Sequence, residues 1–254
     1  MSIDFQPRVA LASLSGEADA VWATAASECA GAAFLGGIAL DEPTREAARE
    51  MVDRDRSEFL PPDPFVFLDV QLAALAETPL RAGFNVRAAT PAPIREAASI
   101  CAAHDAILEI NAHCRQEEMC AVGTGESLLR EPDRLCTQVR AASEEGAAVS
   151  VKVRTELDGV DLPAVAARAV AAGADLLHVD AMDSESVVAE VAEAVDSETL
   201  VIANNGIRDR ETVREYLEYG ADAVSVGRPS DDPRVLRRVR RATEEWFATP
   251  EDPV

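Results

Sequence analysis

The stretch AAGADLLHVD, residues 171–180, reads in order as a helix end, a stop and a strand. Alanines close an amphipathic run, and Gly173 suits the left-handed position that ends a helix. The apolar run that follows is of strand length. The same order returns in EYGADAVSVG, residues 218–227. Helix end, Gly-Ala-Asp, strand is the αβ half of a repeating βα unit.

Outward from these two copies, the chain alternates short β-like runs with alanine-rich helical stretches. The strand candidates are RVALAS (8–13), AAFLGGI (32–38), FNVRAA (84–89), AILEIN (106–111), AVSVKVR (148–154), DLLHVD (175–180), TLVIAN (199–204) and DAVSVG (222–227). LPAVAARAVAA (162–172) and RETVREYLEY (210–219) are examples of the helices between them. Such alternation predicts parallel strands with crossover helices. Eight units in 254 residues predict a (β/α)8 barrel in one domain, residues 1–254. A doubly wound sheet is the rival, but SLSGEADA lacks the glycine fingerprint expected after its first strand. Residues from about 39 to 80 exceed one crossover. EPTREAAREMVDRDRSEF reads as a helix, LPPDP breaks it, and FVFLDVQLAALAE reads as a second helix. This segment is expected to be a helical insertion between strands two and three.

Composition narrows the setting. There are 46 acidic against 24 basic residues, a net charge of −22, spread along the chain. A carboxylate-rich surface of this kind fits a halophilic, salt-rich background, and it weighs against a broad nucleic-acid-binding face. The five cysteines are odd in number and form no C-x-x-C pair, so free thiols in a reducing cytoplasm are expected. No apolar run reaches membrane-spanning length and no signal-peptide pattern opens the chain, so a cytoplasmic protein with no membrane partner is expected. His104, His113, Cys114 and Cys120 fit no zinc spacing, and no metal site is expected.

In a barrel of this type the chemistry sits at the C-terminal ends of the strands. Polar residues gather at those ends. Asn111, His113 and Cys114 follow strand four, Lys152 lies on strand five and His178 on strand six. Asn204, Asn205 and Gly206 end strand seven; Gly227 and Arg228 end strand eight. Loops after strands seven and eight commonly hold a phosphate, where glycine lets backbone N–H groups approach and arginine adds charge. Lys152 is the only lysine beside 23 arginines, and it alternates with Val151 and Val153. If those valines face the helices, the ammonium faces the barrel axis and calls for an anionic partner. A Schiff-base or general-base lysine in a non-redox aldolase or isomerase barrel is the alternative.

Four motifs carry a family resemblance. INAHCRQ resembles the Asn-x-Gly-Cys-Pro segment of the tRNA-dihydrouridine synthase family. VSVKVRTELDG resembles its Lys-x-Arg strand, VIANNGI its Ala-Asn-Gly-Asp-Ile turn, and VSVGR its Gly-Arg ending. The resemblance spans residues 105–230, and dihydroorotate dehydrogenases share the barrel more distantly. It implies FMN as cofactor, with NADPH or NADH as electron donor. Lys152 and His178 would contact the flavin ring. Asn204, Asn205, Gly206, Gly227 and Arg228 would hold its phosphate and ribityl chain. Asn111 would orient a pyrimidine, free or in tRNA, and Cys114 would serve as proton donor at C5 while hydride passes between the flavin and C6. The chain departs from the family at LASLSG, where Ala-Pro-Met is usual, and at Arg87, where glutamine is usual. His113 and Arg115 flank Cys114 where glycine and proline are usual. Family members also carry a helical domain that grips tRNA. Here the barrel takes up the sequence, which points toward a smaller pyrimidine.

Overall fold

A computed structural model describes residues 3–248, and within them eight parallel strands close into a barrel in sequence order. The strands are β1 (Val9–Leu11), β2 (Ala32–Ala39), β3 (Arg81–Arg87), β4 (Ile107–Asn111), β5 (Ala148–Arg154), β6 (Leu176–Asp180), β7 (Leu200–Asn204) and β8 (Ala223–Val226). β1 pairs with both β2 and β8 and so closes the ring. Helix α1 (Ala20–Ala25) follows β1. Two helices, α2 (Glu42–Val52) and α3 (Pro64–Ala74), lie between β2 and β3, and α4 (Pro91–Ala103) precedes β4. Three more, α5 (Glu117–Ala121), α6 (Ser127–Arg130) and α7 (Pro132–Ser143), connect β4 to β5. The later crossovers are α8 (Leu162–Ala171), α9 (Val187–Ala194) and α10 (Arg210–Glu218); a 3-10 turn at Arg228–Asp231 leads from β8 to α11 (Pro233–Ala248). No helix among the described residues is long and apolar enough to cross a membrane.

Strand alternation divides the apolar residues into two cores. Val149, Val151 and Val153, with Leu177, Val179, Val201 and Val224, face outward and pack beneath the helices. Ala10, Ala32, Phe34, Ile107, Leu176, Leu200, Ile202 and Ala223 face inward and plug the N-terminal half of the barrel. The inward residues toward the C-terminal ends are polar, so the apolar plug becomes the floor of a polar mouth.

The Gly-Ala-Asp repeats have a shared structural role. Gly173 and Gly220 adopt positive φ, 113° and 88°, and stop their helices. A side chain at Gly173 would also meet Ser143 Oγ at 2.7 Å. The aspartate then ties the turn to the neighbouring strand. Asp175 Oδ2 accepts from the Val149 backbone N–H at 2.8 Å, and Asp222 Oδ2 accepts from that of Val201 at 2.8 Å. Each bond joins an αβ turn to the start of the strand before it, which secures the order in which strands enter the barrel.

β3 differs from its expected span of 84–89. It starts at Arg81, which pairs with Ala32, and ends at Arg87. Arg81 and Gly83 carry no β signature, and the strand forms there because the ladder to β2 supplies partners. The alanines at 88 and 89 leave the sheet and lead to α4.

Asp175→Ala and Asp222→Ala are each expected to lower stability by about 1–3 kcal/mol, the cost of an unsatisfied strand N–H. The asparagine variants, which retain an acceptor, are expected to lose less. Urea midpoints measure both, and an unchanged midpoint in the alanine variants would refute the role given to the repeat.

Candidate active site

A cavity of about 830 Å³ opens at the C-terminal ends of the strands. Asn111, Cys114 and Lys152 line one side of it. Asn204, Asn205 and Gly206 at the end of β7, with Gly227 and Arg228 at the end of β8, line the other. The eight residues are thus brought together at one opening. His178 is not part of the lining. It shares the inward face of β6 with Asp180 but sits two residues deeper, about 6.6 Å along the strand. Its side chain is fully buried and both ring nitrogens have protein partners. Direct contact between His178 and a ligand in the cavity is therefore not available. Asp180 lines the cavity in its place.

Glu109 is the centre of the barrel's polar layer. Its carboxylate is fully buried and accepts from Asn85 Nδ2 at 2.7 Å and Ser150 Oγ at 3.1 Å, and meets His178 Nδ1 at 2.7 Å. From Asn85 the chain of bonds continues upward. Asn85 Oδ1 accepts from Asn111 Nδ2 at 2.8 Å, and Asn111 Oδ1 accepts from the backbone N–H groups of His113 (3.2 Å) and Cys114 (2.9 Å). The Asn111 carbonyl is therefore committed to shaping the loop that carries Cys114. One N–H of its amide remains for a ligand. On the other side His178 Nε2 lies 2.7 Å from Ser225 Oγ, which lies 3.0 Å from Asn204 Oδ1.

Lys152 stands between Asn111 and His178 in the strand register. It is only 3% exposed, and no carboxylate among the described residues forms an ion pair with it. Its charge nevertheless acts on both Glu109 and Asp180. Burial by itself raises the Glu109 carboxyl, but His178, Lys152 and the Asn85 amide outweigh burial and hold it below the usual carboxylate range. Burial likewise opposes ionisation of Asp180, and the His113 ring, 2.5 Å away, with Lys152 reverses that effect. Burial pushes the His178 imidazole below its ordinary value, more than Glu109 pulls it up.

A second buried pair closes the wall beside Cys114. Arg87, on β3, meets Glu58 from the α2–α3 connection, and both side chains are about 1% exposed. One contact, Arg87 Nη1 to Glu58 Oε1, is 3.1 Å; the other Nη donates to Gly37 O at 2.9 Å and also pairs with Glu58. Cys114 lies within electrostatic reach of the same guanidinium. Arg54 pairs with Glu118 and ties the same connection to α5. The segment between α2 and α3 thereby contributes Asp55, Arg56, Ser57 and Glu58 to the cavity.

Glu109, Asp180, Glu58 and Arg154 are absent from the residues chosen on sequence. Arg154 lines the cavity and pairs with Glu126 at 2.7 Å. The strand pattern contained a usable signal for two of them: Glu109 and Asp180 occupy inward positions of apolar strands, where a carboxylate needs a partner. Glu58 has no such signal, because its partner is supplied by a strand 29 residues away.

Glycine turns after β7 and β8 and an Asn-x-x-Cys loop after β4 thus meet at the mouth of a closed (β/α)8 barrel. The dihydrouridine synthase (Dus) family model matches residues 41–253, and the chain belongs to that family. An uncharacterized protein of Methanocaldococcus jannaschii is 27% identical over 232 residues, covering 87% of this chain and 88% of that protein. Among solved structures, the DHODH of Eimeria tenella in complex with ferulenol matches with a TM-score of 0.69 at 17% identity, over 94% of this chain and 81% of that one. The tryptophan synthase α-subunit of Pyrococcus furiosus matches with a TM-score of 0.57 at 13% identity, over 97% of this chain and all of that one. These structural likenesses concern the fold.

Glu58→Gln strands a buried guanidinium and is expected to cost about 3–5 kcal/mol, whereas replacing Glu58 and Arg87 together by methionine is expected to cost less. Chemical denaturation of the single and double variants tests this, and a double variant weaker than both singles would contradict it. Acid is expected to destabilise the fold. Glu109, Asp180 and His178 all have folded values below their unfolded ones, so the unfolded chain takes up protons first as pH falls. The loss begins near pH 6.5, the unfolded value of the histidine, and deepens below pH 4.5 as the carboxylates follow. Thermal unfolding from pH 7.5 downward measures this, and a Tm that rises on acidification would contradict it.

Proposed function

We propose that the protein binds FMN non-covalently at the C-terminal mouth of the barrel and moves hydride between it and the C5–C6 bond of a pyrimidine. The observation that carries this reading is the convergence on one cavity of the Asn111–Cys114 loop, Lys152 and the two glycine turns. The residues fit the cofactor. A Cβ at Gly206 would meet nothing within 4 Å, so that turn faces open space. Arg228 makes no ion pair among the described residues. The lining holds five cationic side chains (Arg56, Arg115, Lys152, Arg154, Arg228) against four carboxylates (Glu17, Asp55, Glu58, Asp180). Over the whole chain the balance is 24 to 46, so the cavity reverses the sign of the protein and suits an anionic ligand.

In this reading Arg228 and the backbone at Gly206 and Gly227 hold the phosphate. Asn204 and Asn205 take the ribityl chain. The Lys152 ammonium, compact and held by its strand, balances negative charge on the N1/O2 edge of the ring. FMN, when bound, supplies the hydride chemistry. Asn111 directs its remaining N–H to the pyrimidine, and the Cys114 thiol gives a proton to C5, or the thiolate takes one in the reverse direction. The substrate is a pyrimidine, free or within tRNA, and NADPH or NADH is the electron donor. The surrounding medium is a salt-rich cytoplasm, to which the acidic surface is suited. Membership of a flavin-dependent family weighs against a non-redox barrel in which Lys152 forms a Schiff base.

Cys114→Ala tests the proton donor. The variant is expected to bind FMN with an unaltered visible spectrum. Stopped-flow reoxidation of its reduced flavin by uridine, UMP or unmodified tRNA under anaerobic conditions is expected to slow about a hundredfold or more. An unchanged reoxidation rate would remove Cys114 from the mechanism.

A further inference from the structure

The polar chain beneath the cavity has a direction. We propose that Glu109, His178 and Ser225 act as positioning residues that fix the Asn204 amide with its carbonyl oxygen toward the cavity, so that the β7 edge selects a ligand group that donates a hydrogen bond. Only the identity of that ligand, a ribityl hydroxyl or ring N–H of FMN, rests on the proposed cofactor site.

The direction follows from counting hydrogens. An ionised carboxylate only accepts. Glu109 Oε2 lies 2.7 Å from His178 Nδ1, so that nitrogen carries the ring hydrogen. The groups around the imidazole are Glu109 on β4, Lys152 on β5, Ser225 on β8, Asp180 on its own strand and the Phe34 ring on β2, with centroids 5.2 Å apart. Burial, the largest influence, and Lys152 both favour the neutral ring, and they prevail over Glu109 and Asp180. Nε2 is then a bare acceptor, and the Ser225 hydroxyl, 2.7 Å away, holds the hydrogen that satisfies it.

Ser225 has one hydrogen and three acceptors within reach: His178 Nε2 at 2.7 Å, Asn204 Oδ1 at 3.0 Å and Ala203 O at 3.3 Å. Once the shortest contact takes it, Ser225 Oγ can only accept. Two oxygens, Ser225 Oγ and Asn204 Oδ1, would then face each other without a hydrogen between them. Exchanging the two ends of the amide, which have the same shape, places Nδ2 against Ser225 and supplies that hydrogen. Asn204 Oδ1 then turns toward the cavity that Asn204 lines. Protonating His178 inverts the chain. Nε2 would donate to Ser225, Ser225 would donate to Asn204 Oδ1, and the amide would present N–H groups instead. The buried histidine thus decides which half of Asn204 a ligand meets, without touching the ligand.

The protein has three histidines, so a long-range 1H–15N spectrum of its imidazoles is readily assigned by single substitutions. In ligand-free protein at pH 7.5, His178 is expected to carry hydrogen on Nδ1 alone. Asn204→Asp puts an acceptor-only group against Ser225, draws the serine hydrogen away from Nε2, and is expected to raise the His178 titration by about one pH unit. In Ser225→Ala the link is cut, and adding Asn204→Asp is expected to shift His178 far less than it does with Ser225 present. A wild-type His178 protonated on Nε2 at pH 7.5, or an equal shift with and without Ser225, would overturn the proposal. No arm of this test uses flavin. Failure of wild-type protein to bind added FMN would count against the cofactor reading and leave the relay standing.

Discussion

A carboxylate buried inside a barrel is the constraint on which the rest of this structure depends. Taking Glu109 out of water costs several kcal/mol unless its charge is matched and its lone pairs are used. The protein meets that requirement with the Asn85 amide, the Ser150 hydroxyl and the His178 ring, and with the ammonium of Lys152 nearby. Each of these groups is then restricted in turn. Asn85 orients Asn111, and Asn111 holds the backbone of the Cys114 loop. His178 meets Ser225, and Ser225 meets Asn204. One acid therefore connects β3, β4, β5, β6 and β8, and through them both walls of the cavity. The side chains that meet a ligand are ordered before it arrives, which lowers the ordering cost of binding.

The arrangement of charge explains the solitary lysine. The chain carries 46 acidic against 24 basic residues, and ion pairs exposed to solvent are weakened by salt screening. At 3% exposure Lys152 is sheltered from that screening. Its ammonium is a compact point charge, whereas a guanidinium needs a wider, planar set of partners. Arg87 shows the contrast. It is accommodated inside only because Glu58 and the Gly37 carbonyl meet its planar fork. Among the described residues Lys152 has no carboxylate ion-pair partner, and its charge acts on Glu109 and Asp180.

Much of this was legible in the sequence, and what was not has a physical reason. The Gly-Ala-Asp repeats are local signals, set by a helix stop and a turn, so the βα unit could be read from two ten-residue stretches and the barrel from eight alternating strand candidates along the chain. Asn111, Cys114, Lys152 and the β7 and β8 turns were legible because strand ends and strand faces follow from alternation. Depth does not follow from alternation. His178 and Asp180 share a face, and only the closed barrel shows which of them reaches the cavity. The Arg87–Glu58 pair was illegible for another reason: its partners meet across a long connection that no periodicity describes. The ends of β3 were misjudged because ladder partners, and not propensity, set them.

The central claim is that the polar mouth of this barrel is a flavin mononucleotide site whose phosphate is gripped by the β7 and β8 turns and Arg228. Isothermal titration of cofactor-free protein with FMN and with riboflavin, in high salt, tests it most directly. The two ligands share the ring and ribityl chain and differ in the phosphate. The account expects one FMN per chain, bound at least tenfold more tightly than riboflavin, about 1.4 kcal/mol or more of preference from charge-assisted contacts to the phosphate. Equal affinities, or no binding of either, would contradict it.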